Sequence, residues 1–227
     1  MTDTAPSLSR STEDYLKVIY SILERGDTAT TSAIASVLSV QPASVTGMVK
    51  RLAESGLLEH VPYKGVELTS EGTVEALRVL RRHRIIETYL CERLGFSWDD
   101  VHDEAERMEH AVSDVLIERM AVALEHPSHD PHGSPIPTRS GEIETTDHVT
   151  LAGLPPGTKA TIRAVRDEDP ADLRSMRERG LVPGARLRVG ERSGASTVVF
   201  LTVDDQERRE DVDPDIAERI YVTRSRP

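Results

Sequence analysis

The chain changes its hydrophobic period once, and that change limits the folds open to it. Up to about residue 125, apolar side chains recur at helical spacing. From about 148 onward they come in short β-like runs, ATIRAV, ARLRVG, STVVFLTV and RIYVTR, with a helical insert, DPADLRSMRERG, between the first two. The intervening HPSHDPHGSPIPTRSGEIETTD, residues 126–147, is rich in proline and glycine and sustains neither pattern. The expected fold class is therefore mainly α with a small β domain, the β part a small barrel. At 37% hydrophobic residues the 227-residue chain can bury more than one core, yet its longest apolar runs span four or five residues, too few for a transmembrane helix. MTDTAPSLSRSTEDY lacks a basic region followed by an apolar one, so no signal peptide is expected. One cysteine, Cys91, excludes a disulfide framework and fits a reducing cytoplasm.

Within the helical part, STEDYLKVIYSILERG places Tyr15, Leu16, Ile19, Tyr20 and Leu23 on one face, with Ser11 or Thr12 as the expected N-cap and Gly26 as a stop. TTSAIASVLSV gives a short second helix. Pro42 opens a third, ending at Gly56. LLEHVPY and KGVELTSEG then alternate around a turn at Lys64–Gly65, the pattern of a two-stranded wing. Helix, turn, helix and wing predict a winged helix-turn-helix whose recognition helix enters the major groove. Its leading residues are Gln41, Pro42, Ala43, Ser44, Thr46 and Gly47, with Lys50 and Arg51 a turn on. An ordinary three-helix subdomain would show the same periodicity.

Charge opposes a nucleic-acid partner. The net charge is −11, and residues 1–72 alone carry six bases against nine acids. DNA affinity comes mostly from basic side chains neutralising phosphates. A bound cation would relieve the conflict, and the acids downstream are spaced for one. His83 and Glu87 stand four apart; in HDEAERMEH, the spacings of His102, Glu106, Glu109 and His110 all project side chains to one side. Clustered carboxylates and imidazoles repel without a cation. The same spacing fits a solvated acidic face, which is how Asp99, Asp100, Asp103 and Glu104 read. A carboxylate-bridged helical metalloenzyme is the rival from another class, and the absence of a second Glu-x-x-His motif counts against it. His126, His129 and His132 with Asp130 are expected to face solvent in the loop, and Cys91 to be a buried inert thiol.

The winged helix, then HRIIE, VHDEAERMEH and DPHGSPIP, resembles the diphtheria-toxin-repressor family of metal-dependent transcriptional regulators over nearly the whole chain. The resemblance implies a DNA-binding domain over 1–72, a helical metal-binding and dimerisation domain over 73–140, a linker over 141–147 and an SH3-like domain over 148–227. It implies a repressor, not an enzyme: a homodimer whose metal-bound form binds a palindromic operator, with up to two dimers per operator, and no membrane partner. Carried over by position, a primary metal site would use Asp14, Glu106, Glu109 and His110. An ancillary site would use His83, Glu87 and His102, with Asp167 taken from the VRDEDPAD loop. Iron-responsive members carry Met and Cys where this chain has Asp14 and Glu106, and manganese-responsive members carry the carboxylates. The expectation is thus a Mn(II)-dependent repressor of metal-uptake genes, with an Fe(II)-responsive one as the alternative. Short manganese regulators add a Glu one turn after the Asp; Lys17 stands there, so their binuclear site is not expected.

Overall fold

The structure, a computed structural model, describes residues 8–61, 65–145, 149–166, 169–191, 195–203 and 206–224. The described chain divides into two compact units.

The first unit comprises residues up to His83 together with 109–112 and 137–144. Helix α1 (Arg10–Glu24) is capped by Ser9, two or three residues earlier than expected, whose hydroxyl accepts from Thr12 N. Leu16, Ile19 and Ile22 are fully buried, each worth roughly 1.5–3 kcal/mol against exposure, and their spacing fixes which way α1 faces. Thr30 caps α2 (Thr31–Leu38) through Ala33 N. Proline at the first position opens α3 (Pro42–Glu54). The axes of α2 and α3 meet at 111°, within the helix-turn-helix range. Strands β1 (Leu58–Val61) and β2 (Gly65–Leu68) pair antiparallel with Leu58 opposite Leu68. Gly65 takes φ +79° against the Ala29 carbonyl, a position closed to a side chain; Lys64, the other expected turn residue, lies outside the described residues. Ile34, Val45, Met48 and Leu52 complete the core.

Helix α4 (Ser70–Leu94) runs out of this unit after His83 into the second, which holds 84–108, 113–136 and 145–227. There α5 (Val101–Met108) and α6 (Asp114–Ala123) follow. A 3₁₀ turn at Leu151–Gly153 leads into β3 (Lys159–Val165), α7 (Pro170–Glu178), β4 (Arg186–Val189), β5 (Thr197–Val203), β6 (Gln206–Val212), α8 (Pro214–Ala217) and β7 (Ile220–Arg224). The strands form one antiparallel sheet in the order β6-β5-β4-β3-β7. Leu151, Ile162, Leu173, Met176, Leu201 and Ile220 lie in its core, with Trp98 packed against them. Within this unit the sheet domain is also fastened to the helices by polar contacts. Asp99, 3% exposed, accepts from Arg174 and Arg177 of α7, and Val165 N donates to the His132 carbonyl at 2.9 Å.

No single helix among the described residues is long and apolar enough to cross a membrane.

Candidate metal centre

Three donors converge in the first unit. Asp14 lies near the start of α1, and Glu109 and His110 occupy the turn after α5. That helix stops at Met108, and the chain turns to reach Ser113, which caps α6 by accepting from Leu116 N. One ligand atom from each of the three residues lies within 4.8 Å of the others. His110 Nε2 is 2.8 Å from Asp14 Oδ1 and 3.2 Å from Glu109 Oε1. It is buried and makes no hydrogen bond. The opposite ring nitrogen, Nδ1, stands 2.6 Å from Glu13 Oε2. An ionised carboxylate only accepts, so Nδ1 carries the hydrogen and, in the neutral ring, Nε2 is a lone pair turned toward two carboxylates. Electron-rich atoms held together with no hydrogen between them fit a divalent cation. The Asp14 side chain keeps 29% exposure, which leaves the cluster reachable from solvent.

Glu109 is fully buried, with Lys17 Nζ 2.6 Å from one oxygen and His83 Nδ1 2.6 Å from the other. Burial works to raise its pKa, but hydrogen bonds and charge from His83 and Lys17 win and hold it below the usual carboxylate range. Arg82 donates to Glu13 Oε1 at 2.6 Å. Neither Glu13 nor the Lys17–Glu109 pair was legible as part of the cluster, because a helix read by itself does not say what faces its polar side.

Glu106, expected with Asp14, is not among the three donors that converge there. It remains on α5 in the second unit, 3.8 Å from His102 Nε2. The spacing of 106, 109 and 110 shares one face only on a continuous helix, and the helix ends between them. His83 bonds Glu109 in the first unit, whereas in the second His102 Nδ1 lies 3.1 Å from Glu87 Oε1. Asp167 lies outside the described residues.

The second unit holds a group that the expectation of a solvent-exposed loop concealed. Asp130 and His132 are buried with Glu87, and one ligand atom from each lies within 4.8 Å of the others. His126 is exposed and His129 half-buried, so the expectation fails at His132 and Asp130. The physical reason is a tight turn at Gly133, φ +85°, packed on the Arg163 carbonyl and held by Asp130 Oδ1 accepting from His132 N and Ser134 N at 2.9 Å each. His132 Nε2 donates to the Trp98 carbonyl at 2.7 Å, so in the neutral ring Nδ1 is the lone-pair nitrogen, 3.9 Å from Glu87 Oε2. Arg84 Nε lies 3.4 Å from Asp130 Oδ2. Cys91 is only half-buried; burial first, then the charge of Glu87, pushes its thiol up to about 12.

On α3, all eight residues expected at DNA, Gln41, Pro42, Ala43, Ser44, Thr46, Gly47, Lys50 and Arg51, are exposed on one side, while Val45, Met48 and Leu52 are buried on the other. The Thr46 hydroxyl donates back to the Pro42 carbonyl at 3.1 Å.

A winged helix-turn-helix in one unit with a carboxylate–imidazole cluster defines a metal-dependent DNA-binding protein. Residues 7–66 match the family description "Iron dependent repressor, N-terminal DNA binding domain", and residues 69–138 match "Iron dependent repressor, metal binding and dimerisation domain". Residues 149–224 match "FeoA domain". Among similar proteins, the iron-dependent repressor IdeR of Mycobacterium leprae (strain TN) is 33% identical over 204 residues, covering 84% of this chain and 88% of that one. The diphtheria toxin repressor of Corynebacterium glutamicum is 35% identical over 162 residues, covering 69% and 71%. Two solved structures are also similar. A manganese-dependent transcriptional repressor in complex with manganese has a TM-score of 0.89 and 36% identity, covering 94% of this chain and 100% of that one. The manganese regulator SloR has a TM-score of 0.79 and 31% identity, covering 94% and 98%. The chain belongs to the iron-dependent repressor family, that of the diphtheria toxin repressor: it is a metal-dependent transcriptional repressor of a DNA-binding, dimerising family, not an enzyme.

Proposed function

We propose that Mn(II) is the ion that activates this repressor, and that it represses genes for metal-ion uptake as a cytoplasmic homodimer on a palindromic operator, one or two dimers per site. The carrying observation is the donor set: Asp14, Glu109 and His110 offer two hard carboxylates and one imidazole, with no sulfur among them. Hard oxygen donors suit Mn(II), although raw affinity for any such site favours later divalent metals, so selection rests on geometry and availability. Bound there, the ion would supply positive charge and hold the start of α1 to the turn after α5. The other side chains act without it: Lys17 and His83 fix Glu109, and the exposed face of α3 supplies phosphate contacts from Lys50 and Arg51 and base contacts from Ser44 and Thr46. Glu87, Asp130 and His132 would form an ancillary site, with His102 beside Glu87 and Glu106 beside His102. Val115, Leu116 and Val122 on α6 are exposed and would meet the partner subunit, whereas Leu90, Val101 and Leu124 are buried within the chain and would not.

The Fe(II) reading draws on relatives named as iron-dependent repressors, and one anoxic assay separates the two. Operator binding is titrated with Mn(II) and with Fe(II), for wild type and for Asp14→Met. Wild type should be activated at lower Mn(II) than Fe(II), and the variant should shift toward Fe(II) or later metals; a tenfold change needs only about 1.4 kcal/mol. Better activation of wild type by Fe(II), or an unchanged ranking in the variant, refutes the manganese assignment.

A further inference from the structure

Glu13 stands outside the donor set, yet it is only 7% exposed and both its oxygens are engaged by other segments. Oε1 accepts from Arg82 of α4 at 2.6 Å, and Oε2 accepts from His110 Nδ1 at 2.6 Å. Its neighbour in sequence, Asp14, approaches the opposite edge of the same imidazole at 2.8 Å. Successive residues of α1 therefore grip one ring by its two nitrogens. We propose that Glu13 is the positioning residue of the metal centre: by accepting from Nδ1 it fixes the His110 tautomer, so that the Nε2 lone pair faces Asp14 and Glu109. The inference rests on the reading of Asp14, Glu109 and His110 as metal ligands. Ligating histidines generally need such a partner on the far nitrogen, and its loss typically weakens metal binding about 10- to 100-fold.

Arg82 makes the idea sharply testable. A guanidinium can only donate. In Glu13→Gln, the amide must therefore turn its oxygen to Arg82 and its NH₂ to His110. The NH₂ needs an acceptor, so the ring must move its hydrogen to Nε2, where it points at the ion's place. With Arg82→Met added, the amide is free to turn its oxygen to His110 and restore the original tautomer. A carboxylate that served only to hold α1 against α4 would show the reverse pattern, because removing Arg82 as well would worsen the variant.

The test uses full-length protein. Nitrogen-15 chemical shifts of the His110 ring are recorded without metal, well above the ordinary histidine titration range, and Mn(II) binding is followed by electron paramagnetic resonance. Circular dichroism verifies the fold. Expected are an Nδ1–H ring in wild type, an Nε2–H ring in Glu13→Gln with Mn(II) affinity about 10- to 100-fold lower, and recovery of tautomer and most affinity in Glu13→Gln/Arg82→Met. Asp14→Asn serves as the control. If it binds Mn(II) like wild type, the metal reading falls and this inference with it. If it loses the ion while Glu13→Gln keeps both affinity and tautomer, or if the added Arg82→Met brings no recovery, the Glu13 inference alone is overturned.

Discussion

Glu109→Gln in the metal-free protein isolates the charge balance of the centre from metal binding. The substitution keeps the shape of the side chain but strips the buried partner from Lys17, 9% exposed, and from His83, 4% exposed. Removing one member of a buried ion pair costs about 3–5 kcal/mol, because the remaining charge is left in a poor solvent. The Lys17 side chain keeps 11% exposure and can take up some water, so the lower end applies, about 3 kcal/mol. At roughly 2–4 °C per kcal/mol for a chain of this length, calorimetry without metal should show the affected transition falling by about 6–12 °C. Lys17→Met alone leaves Glu109 buried with His83 as its remaining partner and should also destabilise. Combining the two removes both charges at once, and the pair should cost much less than the sum, with a coupling of about 2 kcal/mol. Additive losses across the cycle would refute the claim that Lys17 and Glu109 neutralise each other. The pH dependence has a definite sign. Glu109 titrates below the usual carboxylate range in the folded state, so its contribution is complete at neutral pH and is lost as acid protonates it.

Trp98, the single tryptophan, has its ring centroid 5.3 Å from that of His132, so Mn(II) at the Glu87–Asp130–His132 group should quench its fluorescence; His132→Ala should abolish the quenching, and quenching that survives would remove that group from the metal account. Asp99→Asn should destabilise the second unit by about 1–2 kcal/mol after allowance for half-exposed Arg174 and Arg177. Burial works to raise the Asp99 carboxyl, but hydrogen bonds from Ser97, Arg174 and Arg177 bring it down to about 2; the penalty measured by denaturation should therefore shrink as pH falls from about 4 toward 2, and a pH-independent penalty would refute the assignment. Lys50→Ala should weaken binding to every DNA sequence and lower the salt slope by about one unit, whereas Ser44→Ala or Thr46→Ala should change sequence preference; wild-type operator binding by all three, with metal present, would displace α3 as the recognition helix.

The helical periods of α1 to α3 were legible because their apolar positions face one shared core, so local spacing and burial agree. The first cap was misplaced because Ser9, Ser11 and Thr12 are all competent, and only backbone geometry selects Ser9. Strand β6, QERREDV, was missed for a different reason. It is an edge strand exposed on both faces along most of its length, so it carries no apolar alternation to read. At the centre, spacing identified Glu109 and His110 as donors, because they are polar and near in sequence, whereas Asp14, on a distant helix, came only from the family resemblance. It failed at His132, where one glycine turn folds a polar loop inward. Glu13 was invisible, since its role lies in contacts with residues 69 and 97 positions away.

The absence of sulfur from the Asp14–Glu109–His110 cluster bears on how the protein meets oxidants. Carboxylates and imidazole do not enter the thiol oxidation ladder. The sole cysteine is kept unreactive by burial first and then by neighbouring carboxylate charge, which push the Cys91 thiol up to about 12 and keep it protonated at neutral pH. Peroxide would therefore find no thiolate among Asp14, Glu109 and His110 to convert into a signal, and the response of this cluster would follow metal supply rather than thiol redox state.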